Sequence, residues 1–470
     1  MKKSLYIGSI TLLIMVLFTG CGGGSLEQNV SIDTPTDIAA VVTTMQPIPQ
    51  PTTAAPTRDF GNVTFDFEAR QAVSDELRTE IVPLVMEDLK LLYNEMRAIM
   101  PLSGPVYRRF GVDVFAYLRS LISEIENGGH YRGNIFFPSN FTQVGRGLEC
   151  KDAMLVAAAE WLANRMNRLN ERTGGIMHFL SFVVGDINFE ELFELEVMID
   201  RYAGRAAVQR PDNVSTDILL PGEIAFMSIR QGTWDIDYDL SILLPFYEQI
   251  QDFAHLIIDI RGHVGGDPWH FNGTVLRQLI GEPVYTKDVQ FFSHGFPDWF
   301  LQFTYQNIQP ELAEYFDELA EEMLSIFYCA YIFLQESNKP YFNEADMQDI
   351  AFVRALERRI TPLDDGFPFA GQIWILVDER TASAGERIVL DSMSSGFATV
   401  VGENTMGVMP AQTMYIMLPN TGIAQRMDIG YMVDAYGRNL QEHGITPDYL
   451  NRQGMCALQT VLAMIEEKED

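Results

Sequence analysis

The sequence predicts an α/β core preceded by a helical region, and three observations carry that reading. Short, almost wholly apolar segments such as Glu223–Ile229 and Leu256–Ile260 have the texture of strands buried on both faces of a sheet. Leu256–Ile260 and Ile373–Val377 each run directly into a turn rich in small residues. Upstream, Val82, Leu84, Val85, Leu89, Leu91, Leu92 and Met96 recur near helical spacing with acidic residues between them.

Residues 61–215 therefore read as a helical N-terminal region and 216–460 as the core. A helix is expected over Val112–Glu126, stopped by Asn127-Gly128-Gly129, with His130 directly after. Further helices are expected at Ala153–Leu169 and Phe189–Ala203. Within the core, the acidic and aromatic stretch 297–360, for example Pro310–Leu334, reads as a helical insertion.

The chain has 470 residues, 47% apolar and 21% charged, which is globular composition. Its formal net charge of −31 argues against nucleic acid, which needs a clustered basic surface, and against a polybasic contact with lipid headgroups. The N-terminus is different. Lys2 and Lys3 precede an apolar run, Leu5–Phe18, and then Thr19-Gly20-Cys21. Residues 1–20 have the plan of an export signal. The Cys after a small residue resembles the lipobox of bacterial lipoproteins, with Phe18 where that pattern prefers Leu. The alternative is an ordinary cleaved signal with an incidental Cys. The first reading makes Cys21 the lipidation site, residues 21–60 a disordered Gly/Pro/Thr-rich tether, and the membrane a partner only through that lipid, outside the cytoplasm. Cys150, Cys329 and Cys456 read as buried free thiols. No CxxC or Cys/His spacing occurs, so neither metal nor cofactor is implied.

Two segments bear chemistry. The first is the strand Ile373–Val377 with Asp378-Glu379-Arg380-Thr381-Ala382-Ser383-Ala384-Gly385-Glu386, a strand, tight turn and helix start. A Ser at such a turn exposes its hydroxyl, and the N–H after it lies at a helix N-terminus, free to stabilise an oxyanion. Taken alone, Ser383 could equally be a plain N-cap. The second is Asp259-Ile260-Arg261-Gly262-His263-Val264-Gly265-Gly266 at a strand end, where glycines permit close backbone approach and offer N–H donors. It lacks the Gly-Lys-Ser/Thr of a phosphate loop.

These two segments are followed in order by Val401-Gly402-Glu403-Asn404-Thr405-Met406-Gly407 and Gly444-Ile445-Thr446-Pro447-Asp448. The series resembles the S41 peptidases, the C-terminal processing proteases and their tricorn-core relatives, over about residues 216–450 and more loosely 80–135. The resemblance implies a ClpP/crotonase-like core. It also implies an acyl-forming nucleophile at Ser383 and an oxyanion hole from Ala384 with Gly265 or Gly266. No PDZ domain is expected, because the segment between His130 and Glu223 lacks its short strands and carboxylate-binding loop.

One departure separates the branches. The processing branch takes its general base from a Lys in a Phe-Gly-Lys-Gly element, and that position is Val408 here. The tricorn-like branch takes a His from an N-terminal segment. Leu121 to His130 resembles its Leu-x-x-x-x-x-Asp-Gly-His pattern, so His130 is the candidate base. Gly129 stands where a Ser assists in that branch. Its Glu maps to Glu442, or with an offset of one to Gln441. His263 replaces the family's usual Asn and could line the site, and His443 is a weaker rival base. Asp259 and Arg261 are read as fixing the turn. The expected function is a serine peptidase acting on peptide or protein substrates. The alternative, motivated by the missing Lys and by Gly129, is an inactive S41-like scaffold that binds peptides or small ligands.

Overall fold

The computed structural model describes residues 77–127, 150–175, 179–183, 213–232, 236–296, 328–409 and 413–469. Cys21, the tether, His130, the helix expected at Phe189–Ala203 and residues 297–327 of the insertion lie outside them.

The chain opens with helices α1 (Val82–Ile99), α2 (Ser103–Phe110), α3 (Val114–Glu126) and α4 (Cys150–Arg172). Local signals set their ends. Pro lies in the first turn of α1, Gly111 closes α2 in the left-handed region at φ 67, and the Asp113 side chain accepts the Ala116 N–H at the start of α3. One strand, β1 (Leu180–Val183), follows α4.

Six strands then build the main sheet, in the order β13-β9-β8-β4-β3-β2. They are β2 (Val214–Leu220), β3 (Ile224–Ile229), β4 (His255–Asp259), β8 (Gln372–Val377), β9 (Thr399–Gly402) and β13 (Tyr449–Leu450). All neighbours run parallel except β2, which pairs antiparallel with β3. Side chains alternate between two cores. Leu256, Ile258, Ile373, Ile375 and Val377 meet α5 (Ile236–Ile250), α6 (Pro268–Phe271) and α8 (Ala384–Ser395) on one face. Ile257, Trp374 and Leu376 meet α10 (Ala457–Glu469) on the other. Burial on both sides is why these strands read as unbroken apolar runs.

Two smaller sheets flank the first. One is β1-β11-β10, with β10 (Thr413–Leu418) and β11 (Ile423–Asp428). The other is β12-β5-β7-β6, with β5 (Val284–Phe292), β6 (Tyr328–Cys329), β7 (Phe352–Ile360) and β12 (Tyr431–Val433).

One expectation within the core needs correction. The stretch expected as a helical insertion is, where described, only partly helical. It carries α7 (Ala330–Glu336) and a 3₁₀ turn (Glu344–Gln348), but β7 pairs along its whole length with β5. Phe352–Ile360 reads Phe-Val-Arg-Ala-Leu-Glu-Arg-Arg-Ile, whose three Arg and one Glu hide the strand, and Arg354 is itself buried. The N-terminal helices pack into the rest of the chain. Leu89, Leu92, Met96, Leu118, Leu121, Leu162 and Phe179 share one core with Phe291, Val408, Ile416, Ile423 and Tyr431. Pairing of β1 with β11 ties the same regions through the backbone.

A buried carboxylate fastens this junction. Asp88 of α1 accepts hydrogen bonds from the Asn420 N–H, the Asn420 amide group, the Thr421 N–H and the Thr421 hydroxyl at the β10–β11 turn. Asp88→Ala leaves the buried Thr421 N–H and hydroxyl without an acceptor. We expect it to lower unfolding free energy by about 3 kcal/mol in urea denaturation. A loss below about 1 kcal/mol would mean that the turn finds other partners.

Candidate active site

The site forms where β4 and β8 end. The strands are adjacent and parallel, with Asp259 opposite Leu376, so their following turns emerge side by side. Hydrogen bonds lace the turns together. The Gly262 N–H donates to Asp378 Oδ1 at 2.7 Å, the Thr381 hydroxyl to the Ile260 carbonyl at 3.2 Å, and the Ala382 N–H to the His263 carbonyl at 2.8 Å. Arg261 pairs with Asp259 inside its own turn, through its backbone N–H and its guanidinium. That matches the turn-fixing role read for both residues.

Ser383 sits immediately before α8 with φ 53 and ψ −118. Among the described residues it is the sole non-glycine at positive φ. Ser383 does cap α8, its N–H donating to Glu386 as in a capping box, but its positive φ is not the β-region backbone of an ordinary N-cap residue. The conformation costs on the order of 1–3 kcal/mol and persists only where surroundings enforce it. Gly265, at φ 108, is one of those surroundings. A Cβ there would lie 2.7 Å from Ser383 Cβ and 3.0 Å from Ser383 Oγ. Only glycine fits, and the glycine turn lies directly against the serine. Gly266, at φ 117, is equally confined, because a Cβ would stand 2.1 Å from the Gly232 carbonyl oxygen.

The expected oxyanion donors differ in their engagement. The Ala384 N–H heads α8, where an amide has no intrahelical acceptor, and it has none elsewhere among the described residues. The Gly266 N–H likewise has no acceptor there. The Gly265 N–H instead donates to His263 Nδ1 at 3.2 Å. Ala384 and Gly266 are thus the free pair.

Glu386 was missed by the sequence reading and is the hub of the turn. It is fully buried. Its Oε1 accepts from the Thr405 hydroxyl at 2.6 Å and the Gly407 N–H at 2.7 Å. Its Oε2 accepts from the Val408 N–H at 2.7 Å and the Ser383 N–H at 3.1 Å. Burial raises its pKa, and these hydrogen bonds work against the rise. The Ser-x-x-Glu spacing of Ser383 and Glu386 was the available signal, as an N-terminal capping pair. Val408, at the position of the Lys in the processing branch, is buried among the N-terminal helices.

Arg108 and Arg109 of α2 were also missed, for their partners lie hundreds of residues away. Arg109 donates to the carbonyls of Met406, Gly407 and Gln441. Arg108 holds Glu442 through Nε and Nη2 and Asp346 through Nη1 and Nη2. Glu442 lies on the one-turn helix α9 (Leu440–His443) and is taken up by this ion pair. Tyr431 donates to Asp346 in the same cluster. Gln441, the alternative at an offset of one, is buried. It accepts from the Met432 N–H and donates to the Gly430 carbonyl, which anchors α9. His443 is half exposed, with Nε2 3.8 Å from Glu442 Oε1. Among the described residues, no group of three or more His, Cys, Asp or Glu could hold a metal ion.

His263 is completely buried, and burial first, then nearby His270, hold its pKa down to about 4. The unfolded imidazole titrates at about 6.5, so the unfolded state binds the proton first as pH falls. Stability from this neutral ring is complete above about pH 6.5 and is lost on descent to about pH 4, by about 3 kcal/mol. His263→Asn should remove most of that acid slope, measured by urea denaturation at neutral pH and near pH 4. An unchanged slope would show the ring to be solvated.

Comparison with known proteins gives one family. The sequence model of peptidase family S41 matches residues 237–450. Among solved structures, mature CPAF complexed with lactacystin is 12% identical, over 83% of this chain and 97% of that one, with a TM-score of 0.44. A lipoprotein from Streptococcus agalactiae is 11% identical, over 82% and 96%, with a TM-score of 0.39. The photosystem II D1 C-terminal processing protease is 15% identical, over 54% and 52%, with a TM-score of 0.32. No curated protein matches the chain in sequence.

Proposed function

We propose, from the match of residues 237–450 to the model of peptidase family S41, that the chain is a serine peptidase with Ser383 as nucleophile. One observation carries the reading. Ser383 alone among the described non-glycine residues has positive φ, at the end of a central strand and pressed against Gly265. A strained turn of this kind aims a hydroxyl outward and leaves the next amide free.

In the proposed reaction, Ser383 Oγ attacks the carbonyl carbon of a peptide bond while its proton passes to His130. The oxyanion takes hydrogen bonds from the Ala384 and Gly266 N–H groups. The amine leaves with the proton from His130, and water then hydrolyses the acyl-enzyme by the same exchange. The match of residues 121–130 to the tricorn-like pattern supports His130, together with the apolar Val408 at the Lys position. In the proposed triad Glu442, held by its ion pair with Arg108, orients His130. We further propose export, with Cys21 carrying a lipid that holds the protein outside the bacterial membrane.

Labelling with a fluorophosphonate probe tests the chemistry. We expect the wild type to label and Ser383→Ala not to. His130→Ala should label about 10²- to 10⁴-fold more slowly, the usual contribution of a general base. Gly265→Ala, which drives a methyl into Ser383, should fall comparably. Labelling that survives in His130→Ala would send the base to another group. No labelling of folded wild type would favour the non-hydrolytic scaffold.

A further inference from the structure

Two buried imidazoles beneath the glycine turn have matching unsatisfied atoms. His263 and His270 are both fully buried. Among the described residues, His263 Nε2 and His270 Nδ1 have no hydrogen-bond partner. Their other nitrogens are engaged, and this assigns the tautomers. A backbone N–H only donates, so His263 Nδ1, which receives the Gly265 N–H, is unprotonated and the proton sits on Nε2. A carboxylate only accepts, so His270 Nε2, 2.6 Å from Asp239 Oδ2, carries a proton, and in the neutral ring Nδ1 is then a bare acceptor. The two orphans are therefore one donor and one acceptor. His270, when charged, lowers the pKa of His263, the effect of a nearby like charge.

We propose that Asp239, His270 and His263 are positioning residues, joined through one ordered water between the two orphan nitrogens, and that this relay fixes Gly265 against Ser383. Each link has its donor and acceptor in order: Asp239 carboxylate, His270 Nε2–H, His270 Nδ1, water, His263 Nε2–H, His263 Nδ1, Gly265 N–H. A water in that place takes one hydrogen bond and gives another, as buried waters do when they join polar groups. The far end is anchored as well. Asp239 of α5 also accepts from Asn213 Nδ2 at 2.7 Å, and the Thr274 hydroxyl donates to the His270 carbonyl.

The near end bears on the nucleophile from both sides. A Cβ on Gly385 would lie 2.9 Å from His263 Nδ1, so the ring is wedged between the glycine turn and the first turn of α8. Holding the Gly265 N–H inward leaves the adjacent Gly266 N–H as the donor for substrate. The relay works through the turn and touches no reacting atom.

The test has a part that does not depend on reactivity at Ser383, although the proposal's rate effect rests on that reading. Selective ¹⁵N-histidine NMR of the full-length wild type at neutral pH reports which ring nitrogen carries the proton. The relay requires Nε2–H on both His263 and His270, assigned with His263→Asn and His270→Asn. Protonation of His263 at Nδ1, or averaged tautomers, would overturn it. The second part is the rate of fluorophosphonate labelling. Asn places Oδ1 where His places Nδ1, so His263→Asn keeps an acceptor for Gly265 and should label within about threefold of wild type. His263→Leu has no acceptor and should slow by about 10- to 100-fold, the scale of a small misplacement near the reacting atoms. Equal rates for Leu and wild type would overturn the positioning role. If His263→Leu does not fold, the wild-type tautomers decide. Expected tautomers in a protein that never labels would defeat the serine-peptidase reading and leave the relay standing.

Discussion

β4 and β8 pair in parallel with Asp259 opposite Leu376, and from that register the arrangement of the site follows. Two strands that end at one height deliver two turns to one place. Neither turn holds itself there. The three lacing bonds through Asp378, Thr381 and Ala382 each contribute about 1 kcal/mol net, comparable with the strain at Ser383. The hold comes from below, where both faces of the two strands are buried under separate cores. A buried sheet thus enforces a serine backbone that no local preference would choose.

Glu386 and Arg109 give the turn a second tether. Glu386 fastens Ser383 and residues 405–408 from inside through four hydrogen bonds. Arg109 grips the same strip of backbone through the Met406 and Gly407 carbonyls. One backbone segment is thereby held by an acid through its N–H groups and by a base through its carbonyls. The base comes from a helix nearly 300 residues away, so the N-terminal helices support the site as a wall supports a hinge plate.

Much of this was legible in the sequence because it is local. Helices α1 and α3 announced themselves by apolar spacing. The central strands did so by unbroken apolar runs, and the two turns by their glycines and the Ser. β7 was not legible as a strand, since Arg354, Glu357, Arg358 and Arg359 give it a helix-like charge density. What failed to show was whatever depends on distance along the chain. Arg108 finds Asp346 and Glu442, and Asp88 finds Thr421. No pattern within a window of residues contains such pairings. Asp239 and His270 are of the same kind, since an isolated buried His looks like any other until its neighbours are known. Ser383 is the instructive middle case. Its position was readable from sequence, but its positive φ, which separates it from an ordinary helix cap, is a property of the assembled turns.

The shared core of the N-terminal helices with β10, β11 and β12 has a consequence for how the molecule is made. Contacts such as Asp88 with Thr421, and Arg109 with Gln441, close loops of more than 300 residues. Loops of that size slow folding, and their contacts form only after both ends exist. A chain leaving the ribosome has its first helices long before the strands that cover them. Arg109 completes its set of acceptors, and Thr405 meets Ile445, only after residues 441–445 have emerged. The topology thus acts as a timer: the last contacts around the Ser383 turn close only when nearly the whole chain is present.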